Sequence, residues 1–176
     1  ISYNNRTFGE KNWHEHYNYP DTGYSFAYQN FNSEILGELY AIYGHYNFYF
    51  FNRQAKNKLI LRTGIGLAYA TTPYNKVTNN KNTAFGTRIN SSSYLKLSYQ
   101  RENILKNLGI NAGLTFIHTS NSNIKSPNAG ANIYAVTFGL NYDLSQDNTS
   151  THFISSTNCK YLNFKEPIKL NLAVRG

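Results

Sequence analysis

The chain has 176 residues and a formal net charge of +8, with 16 Tyr, 11 Phe, one Trp and one Cys. That length suffices for one domain with a sizeable core, and the lone Cys159 excludes an internal disulfide. No run approaches the ~18 apolar residues of a transmembrane helix, whereas a barrel strand needs only about 9–11 residues of alternating pattern.

Amphipathic helical periodicity is nearly absent. Alternating segments of strand length, separated by clusters of Asn, Gly, Ser and Pro, recur along the chain and predict an all-β fold. In chain order the predicted strands are 1–8, 23–31, 38–51, 58–70, 86–100, 108–119, 131–144, 151–161 and 168–175. A chain that begins and ends inside strand patterns is expected to be a fragment, or a mature chain trimmed at both ends. The segment 38–51 places Tyr40, Ile42, Tyr46, Phe48 and Phe50 on one face. The segment 58–70 sets Leu59, Leu61, Ile65, Leu67 and Tyr69 opposite Arg62, Gly64, Gly66, Ala68 and Ala70. The segment 131–144 sets Tyr134, Val136, Phe138, Leu140 and Tyr142 opposite Ala135, Thr137, Gly139 and Asn141. One apolar face with an aromatic rim and one small or polar face is the outer-membrane barrel pattern. A soluble antiparallel sandwich also alternates, but these strands run about twice the usual five to six residues. On this parity Leu114, Phe116, Tyr134, Val136, Phe138 and Leu140 face outward, and Arg62, Arg88, Lys96 and His45 face a polar lumen.

The positive charge calls for an anionic partner: nucleic acid, an acidic membrane surface or a phosphorylated lipid. The basic residues are scattered, and no RNA-binding or helix-turn-helix signature accompanies them, which argues against nucleic acid. Trp13-His14-Glu15-His16 contains a His-x-His pair with no further ligand cluster at the usual spacing, so no metal site is expected.

The segment 108–119 ends in His118-Thr119-Ser120-Asn121. Alternation puts His118 and Ser120 side by side on the same face as Leu114 and Phe116. A base beside a hydroxyl is the minimum unit of an activated serine, and an apolar face suits an apolar substrate. Asn132 opens the next strand with the same parity. If a hairpin with loop 121–130 pairs Asn132 with His118, the amide accepts the Nδ1–H bond and leaves Nε2 to take the Ser120 proton. The loop also offers amides and backbone N–H groups to an oxyanion, Asn121, Asn123 and Asn128 among them. The residues alone leave a second reading open: His118 and Ser120 end a strand at a membrane interface, and the Asn residues make a turn.

His118-Thr119-Ser120-Asn121, followed by Pro127-Asn128-Ala129-Gly130-Ala131-Asn132 and Gly139-Leu140-Asn141-Tyr142, resembles the PagL-type lipid A deacylases and the wider acyloxyacyl hydrolase family. Two further blocks agree. One runs from Gly64 through Thr72-Pro73-Tyr74 to Asn79-Asn80-Lys81-Asn82 and Gly86, and the other is Trp13 with Tyr17-Asn18-Tyr19-Pro20-Asp21-Thr22-Gly23. The resemblance covers roughly residues 13–144. It implies a barrel of about eight strands in the bacterial outer membrane, with lipid A or lipopolysaccharide as partner. It implies a carboxylic ester hydrolase that needs no cofactor, with Ser120 as nucleophile, His118 as base and Asn128 with the loop backbone in the oxyanion region. This chain departs from the family at Asn132, where the well-known deacylases carry Glu. An amide orients the imidazole without offsetting its charge, and replacing the triad Asp of a serine protease by Asn lowers turnover about 10⁴-fold. The resemblance makes the catalytic hairpin the seventh and eighth strands, so counting back leaves a first strand missing ahead of residue 1. Residues 1–144 are then the barrel domain, and 145–176 an extension expected to add strands. The alternative function is a non-catalytic outer-membrane barrel, structural or lipid-binding; a soluble β-sandwich binding module is a third reading.

Overall fold

The computed structural model describes residues 1–53, 55–142 and 171–174. Eight strands appear among them: β1 (Ser2–Asn5), β2 (Asp21–Asn30), β3 (Glu38–Tyr49), β4 (Asn57–Ala70), β5 (Ile89–Leu105), β6 (Leu108–Ser120), β7 (Ala131–Tyr142) and β8 (Asn171–Val174). One short helix, α1 (Asn12–His16), lies between β1 and β2. The described residues hold no helix long and apolar enough to cross a membrane. Each strand from β1 to β7 pairs antiparallel with the next, and β8 pairs with β7. β8 also meets β1 at Ser2↔Asn171, which closes the sheet into a barrel. The hairpin that carries His118, Ser120 and Asn132 is β6–β7. The predicted strand 151–161, with His152 and Cys159, lies outside the described residues.

The two faces divide as period-2 patterning requires. Tyr24, Phe26, Ile42, Ile65, Leu67, Leu95, Leu114, Tyr134, Val136, Phe138 and Leu140 all point outward and are exposed. Phe116 shares their face but is half-buried, its ring 5.0 Å from that of Tyr134. A soluble sandwich would turn this face inward, because so large an exposed apolar belt is unfavourable in water. Ring closure pairs the backbone N–H and C=O groups laterally, as a strand in hydrocarbon needs.

The interior has two layers. Leu39, Ala41, Tyr43, Ala68, Ala70, Phe85, Tyr94 and Ile117 form a buried apolar cluster toward the end that carries loops 71–88 and 121–130. Beyond it the filling is polar. Arg62 donates to Ser2, Asn4 and Asn47, and His45, 2% exposed, bridges Ser25 and Asn4. Arg62 and His45 thus occupy the interior as parity predicts, and Lys96 is half-buried on the same face. Arg88 does not. It precedes β5, is exposed, and turns to the outer wall, where Nη1 donates to the Tyr69 hydroxyl and to Thr71 O.

The opposite end is closed by residues 6–20 and 50–53. Arg53 and Asp21 form a buried ion pair there, and Arg53 also donates to Thr7 O and Tyr19 O. On α1, His14 is buried against Glu10 at 3.0 Å while His16 is exposed. Residues two apart on a helix do not face each other, so the pair does not converge on one ligand.

Candidate active site

β6 and β7 pair in a register that sets His118 opposite Asn132. This pairing follows from the parity of the two apolar faces, since a slip of one residue would turn Tyr134, Val136 and Phe138 inward. His118 Nδ1 lies 2.7 Å from Asn132 Oδ1. With the amide oxygen facing it, Nδ1 carries the proton, and Nε2 is left as the free acceptor. On the other side, β5 places Ser93 opposite His118 and Ser91 opposite Ser120. His118, Ser120 and Asn132 all stand on the outer wall, above Phe116 and Tyr134.

The backbone beneath them is fixed from the inside. Thr119 points into the barrel and is fully buried, its hydroxyl 2.7 Å from Ser92 Oγ. Ser92 in turn contacts the Tyr43 hydroxyl at 2.9 Å and donates to His118 O at 3.2 Å. Ser91 Oγ donates to Ser120 O at 2.9 Å and meets Ser122 Oγ at 3.0 Å. The strand end that carries His118 and Ser120 is thus held by β5 on both faces.

Loop 121–130 is shaped by its own side chains. Asn121 is buried, its backbone N–H donates to Asn128 Oδ1 at 2.8 Å, and its Nδ2 donates to Lys125 O at 2.6 Å. Asn128 Nδ2 donates to Asn123 Oδ1 at 3.1 Å, which leaves one of its two N–H bonds for another acceptor. Loop 71–88 straps this loop down: Ala129 N donates to Thr83 O and Gly130 N to Ala84 O. Asn82 orients the strap by accepting from Ala84 N and Phe85 N, and Phe85 plugs the apolar cluster below.

Two glycines are needed here. A Cβ on Gly86 would stand 2.4 Å from both Lys125 O and Pro127 O, so only a bare Cα lets the strap pass under the loop. Gly130 has φ +71, and a Cβ there would meet Thr119 O at 2.9 Å, Ser120 Cβ at 3.3 Å and His118 Cε1 at 3.5 Å. The side chains of His118 and Ser120 therefore converge on Gly130. Both glycines stand in the blocks that carry the family resemblance, but their role as close-approach points follows only from contacts between loops far apart in sequence.

A groove of about 380 Å³ crosses the outer wall beside this site, lined by Gly44, Ile65, Ser93, Leu95 and Phe116 among others. It is mostly apolar, and Ser93 and Phe116 place its edge in the rows of His118 and the residue two before it.

The family of lipid A 3-O-deacylases (PagL) matches residues 1–141. The chain belongs to this family. No curated protein and no solved structure matches it. The family is one of lipid A deacylases, which are ester hydrolases, and its match spans both strands that carry His118, Ser120 and Asn132. Among the described residues no cluster of three or more metal-ligating side chains occurs.

Proposed function

We propose that this protein is an outer-membrane esterase that removes an ester-linked acyl chain from lipid A or a related glycolipid, using Ser120, His118 and Asn132. The observation that carries the reading is the 2.7 Å His118–Asn132 contact on the outward apolar wall, beside Ser120. In this mechanism Nε2 of His118 takes the Ser120 proton as Oγ attacks the acyl carbonyl. Charge that develops on the carbonyl oxygen is met by N–H donors of loop 121–130, with the remaining N–H of Asn128 the side-chain candidate. Asn123 fixes the Asn128 amide, and Asn121 holds the loop that presents both. The protonated imidazole then gives its proton to the sugar oxygen as the C–O bond breaks, leaving an acyl-serine. Water, activated by the same His118, hydrolyses that ester and releases the fatty acid.

The site's surroundings suit this substrate. The apolar belt matches hydrocarbon, the aromatic side chains near the strand ends match the interface, and the 380 Å³ groove gives an acyl chain an apolar bed. Purified protein in detergent is expected to release fatty acid from lipopolysaccharide, and Ser120→Ala is expected to abolish release. Equal release by wild type and Ser120→Ala would reject the assignment. No release by either would favour the non-catalytic barrel.

A further inference from the structure

Arg88 is the basic residue whose place the sequence parity misjudged, and its actual setting has a use. It stands at the rim of the outer wall, on the same side of the barrel end as loop 121–130. Its guanidinium lies 6.0 Å from the Tyr69 ring centroid, and Nη1 is occupied by the Tyr69 hydroxyl at 3.1 Å and Thr71 O at 2.9 Å. Nε and Nη2 have no protein acceptor among the described residues. A guanidinium held by one nitrogen on an exposed side chain keeps its other donors available for a tetrahedral oxyanion.

The location selects the source of that anion. Tyr69 and Ile89, which flank Arg88, belong to the exposed apolar wall, at 44% and 65% exposure. The charge therefore sits where hydrocarbon gives way to headgroups, not in a water-filled loop. Arg88 is three residues before Ser91, whose cross-strand partner is Ser120. With about 3.3 Å rise per residue and about 4.8 Å between strands, the two Cα atoms are roughly 11 Å apart. A phosphate on the sugar whose ester faces Ser120 is within reach of the side chain. The neighbouring loops add exposed Lys76, Lys81 and Lys125. Among the described residues the acids at this end are Glu34 and Glu38, and Glu38 already accepts from the Tyr28 and Tyr40 hydroxyls.

We infer that Arg88 is a specificity-determining residue that binds a headgroup phosphate of the glycolipid and so positions its ester at Ser120. The inference rests on the esterase reading for its consequence in catalysis, and on the Arg88 geometry alone for binding. The test therefore has two arms. In the first, KM and kcat are measured on phosphorylated lipid A and on lipid A dephosphorylated enzymatically. Arg88→Gln is expected to raise KM roughly five- to tenfold on the phosphorylated lipid, the scale of a charge-assisted hydrogen bond discounted for an exposed site, with little change in kcat. On dephosphorylated lipid A the same substitution is expected to cost much less, and Arg88→Lys is expected to recover part of the loss. An equal loss on both lipids, or a fall confined to kcat, overturns the inference.

In the second arm, binding of the same two lipids in mixed micelles is measured with Ser120→Ala and with Ser120→Ala/Arg88→Gln. Preference for the phosphorylated lipid that depends on Arg88 supports the inference even if no fatty acid is ever released, in which case only the esterase reading falls. Absence of that preference overturns it. So does inorganic phosphate alone, if it binds Arg88 and displaces both lipids equally, because the ligand is then a soluble anion.

Discussion

Replacing Gly130 by Ala tests whether the close approach at the β6–β7 junction sets the positions of His118 and Ser120, the proposed base and nucleophile. The added Cβ would lie 2.9 Å from Thr119 O, 3.3 Å from Ser120 Cβ and 3.5 Å from His118 Cε1. The first distance is short of ordinary contact by about half an ångström, and Thr119 cannot retreat, because its side chain is buried and bonded to Ser92. The shift therefore falls on residue 130 or on the side chains of Ser120 and His118. A left-handed backbone adds roughly 1–2 kcal/mol of strain for a residue with a Cβ, which is small beside the lateral pairing of the whole barrel. A misplacement of about 1 Å can cost 10²-fold in rate, so a shift of a third to a half of that is expected to lower kcat about tenfold. The assay is fatty-acid release by wild type and Gly130→Ala, with folding followed by the change in gel mobility on heating and by the β-sheet circular dichroism signal. A folded Gly130→Ala protein with full turnover would refute the argument that a bare Cα here aligns His118 and Ser120.

Asn132→Ala removes the 2.7 Å partner of His118 and is expected to lower activity about 10- to 100-fold, less than Ser120→Ala or His118→Ala. Asn132→Glu adds a charge beside the imidazolium and is expected to retain or raise activity; a dead Asn132→Glu variant in the same fatty-acid assay would show that the carboxylate reasoning does not transfer to this site. At the opposite end, His14 has its pKa held below the usual 6.5 by burial, which outweighs the pull of Glu10. The unfolded chain then binds more protons than the folded one just below pH 6.5, so the stability that neutral His14 lends α1 is complete above that pH and is lost as pH falls toward the folded value. Hydrogen-exchange protection of residues 14–19 is expected to drop between pH 7 and pH 5, and protection that stays constant would show that His14 does not control this helix.

The strands were legible because alternation is a local signal. β3, β4, β6 and β7 begin and end within two residues of their predicted limits, and the outward set from Leu114 to Leu140 follows from parity. The errors arise where local pattern and long-range contact part. Residues 6–8 continue the alternation of β1 but leave the strand, since Thr7 and Phe8 are buried in the end closure. β5 continues past Gln100 to Leu105 through polar residues that read as a loop, with a register shift between Arg101 and Leu105 and Asn103 at φ +53 accommodating them. Helix α1 covers five residues, too few for a periodic signal. Arg88 had the parity of a lumen residue but precedes the strand that would enforce it. At the site, the His118–Asn132 pairing was readable because it needs only two strands and one hairpin. The strap of loop 71–88 and the anchoring of Thr119 by Ser92 were not, because each joins segments more than twenty residues apart through contacts that no spacing encodes.

Ser120 stands on the convex outer wall instead of at the floor of a cleft. On the proposed esterase reading, a nucleophile so placed does not wait for substrate from bulk water; it samples molecules that slide past in the plane of the bilayer. Its encounter frequency is set by how densely the substrate is packed in that sheet and by lateral diffusion. Diluting the glycolipid with inert detergent at constant total amount should thus slow the reaction, while diluting the whole suspension with buffer should scarcely alter the rate per enzyme molecule.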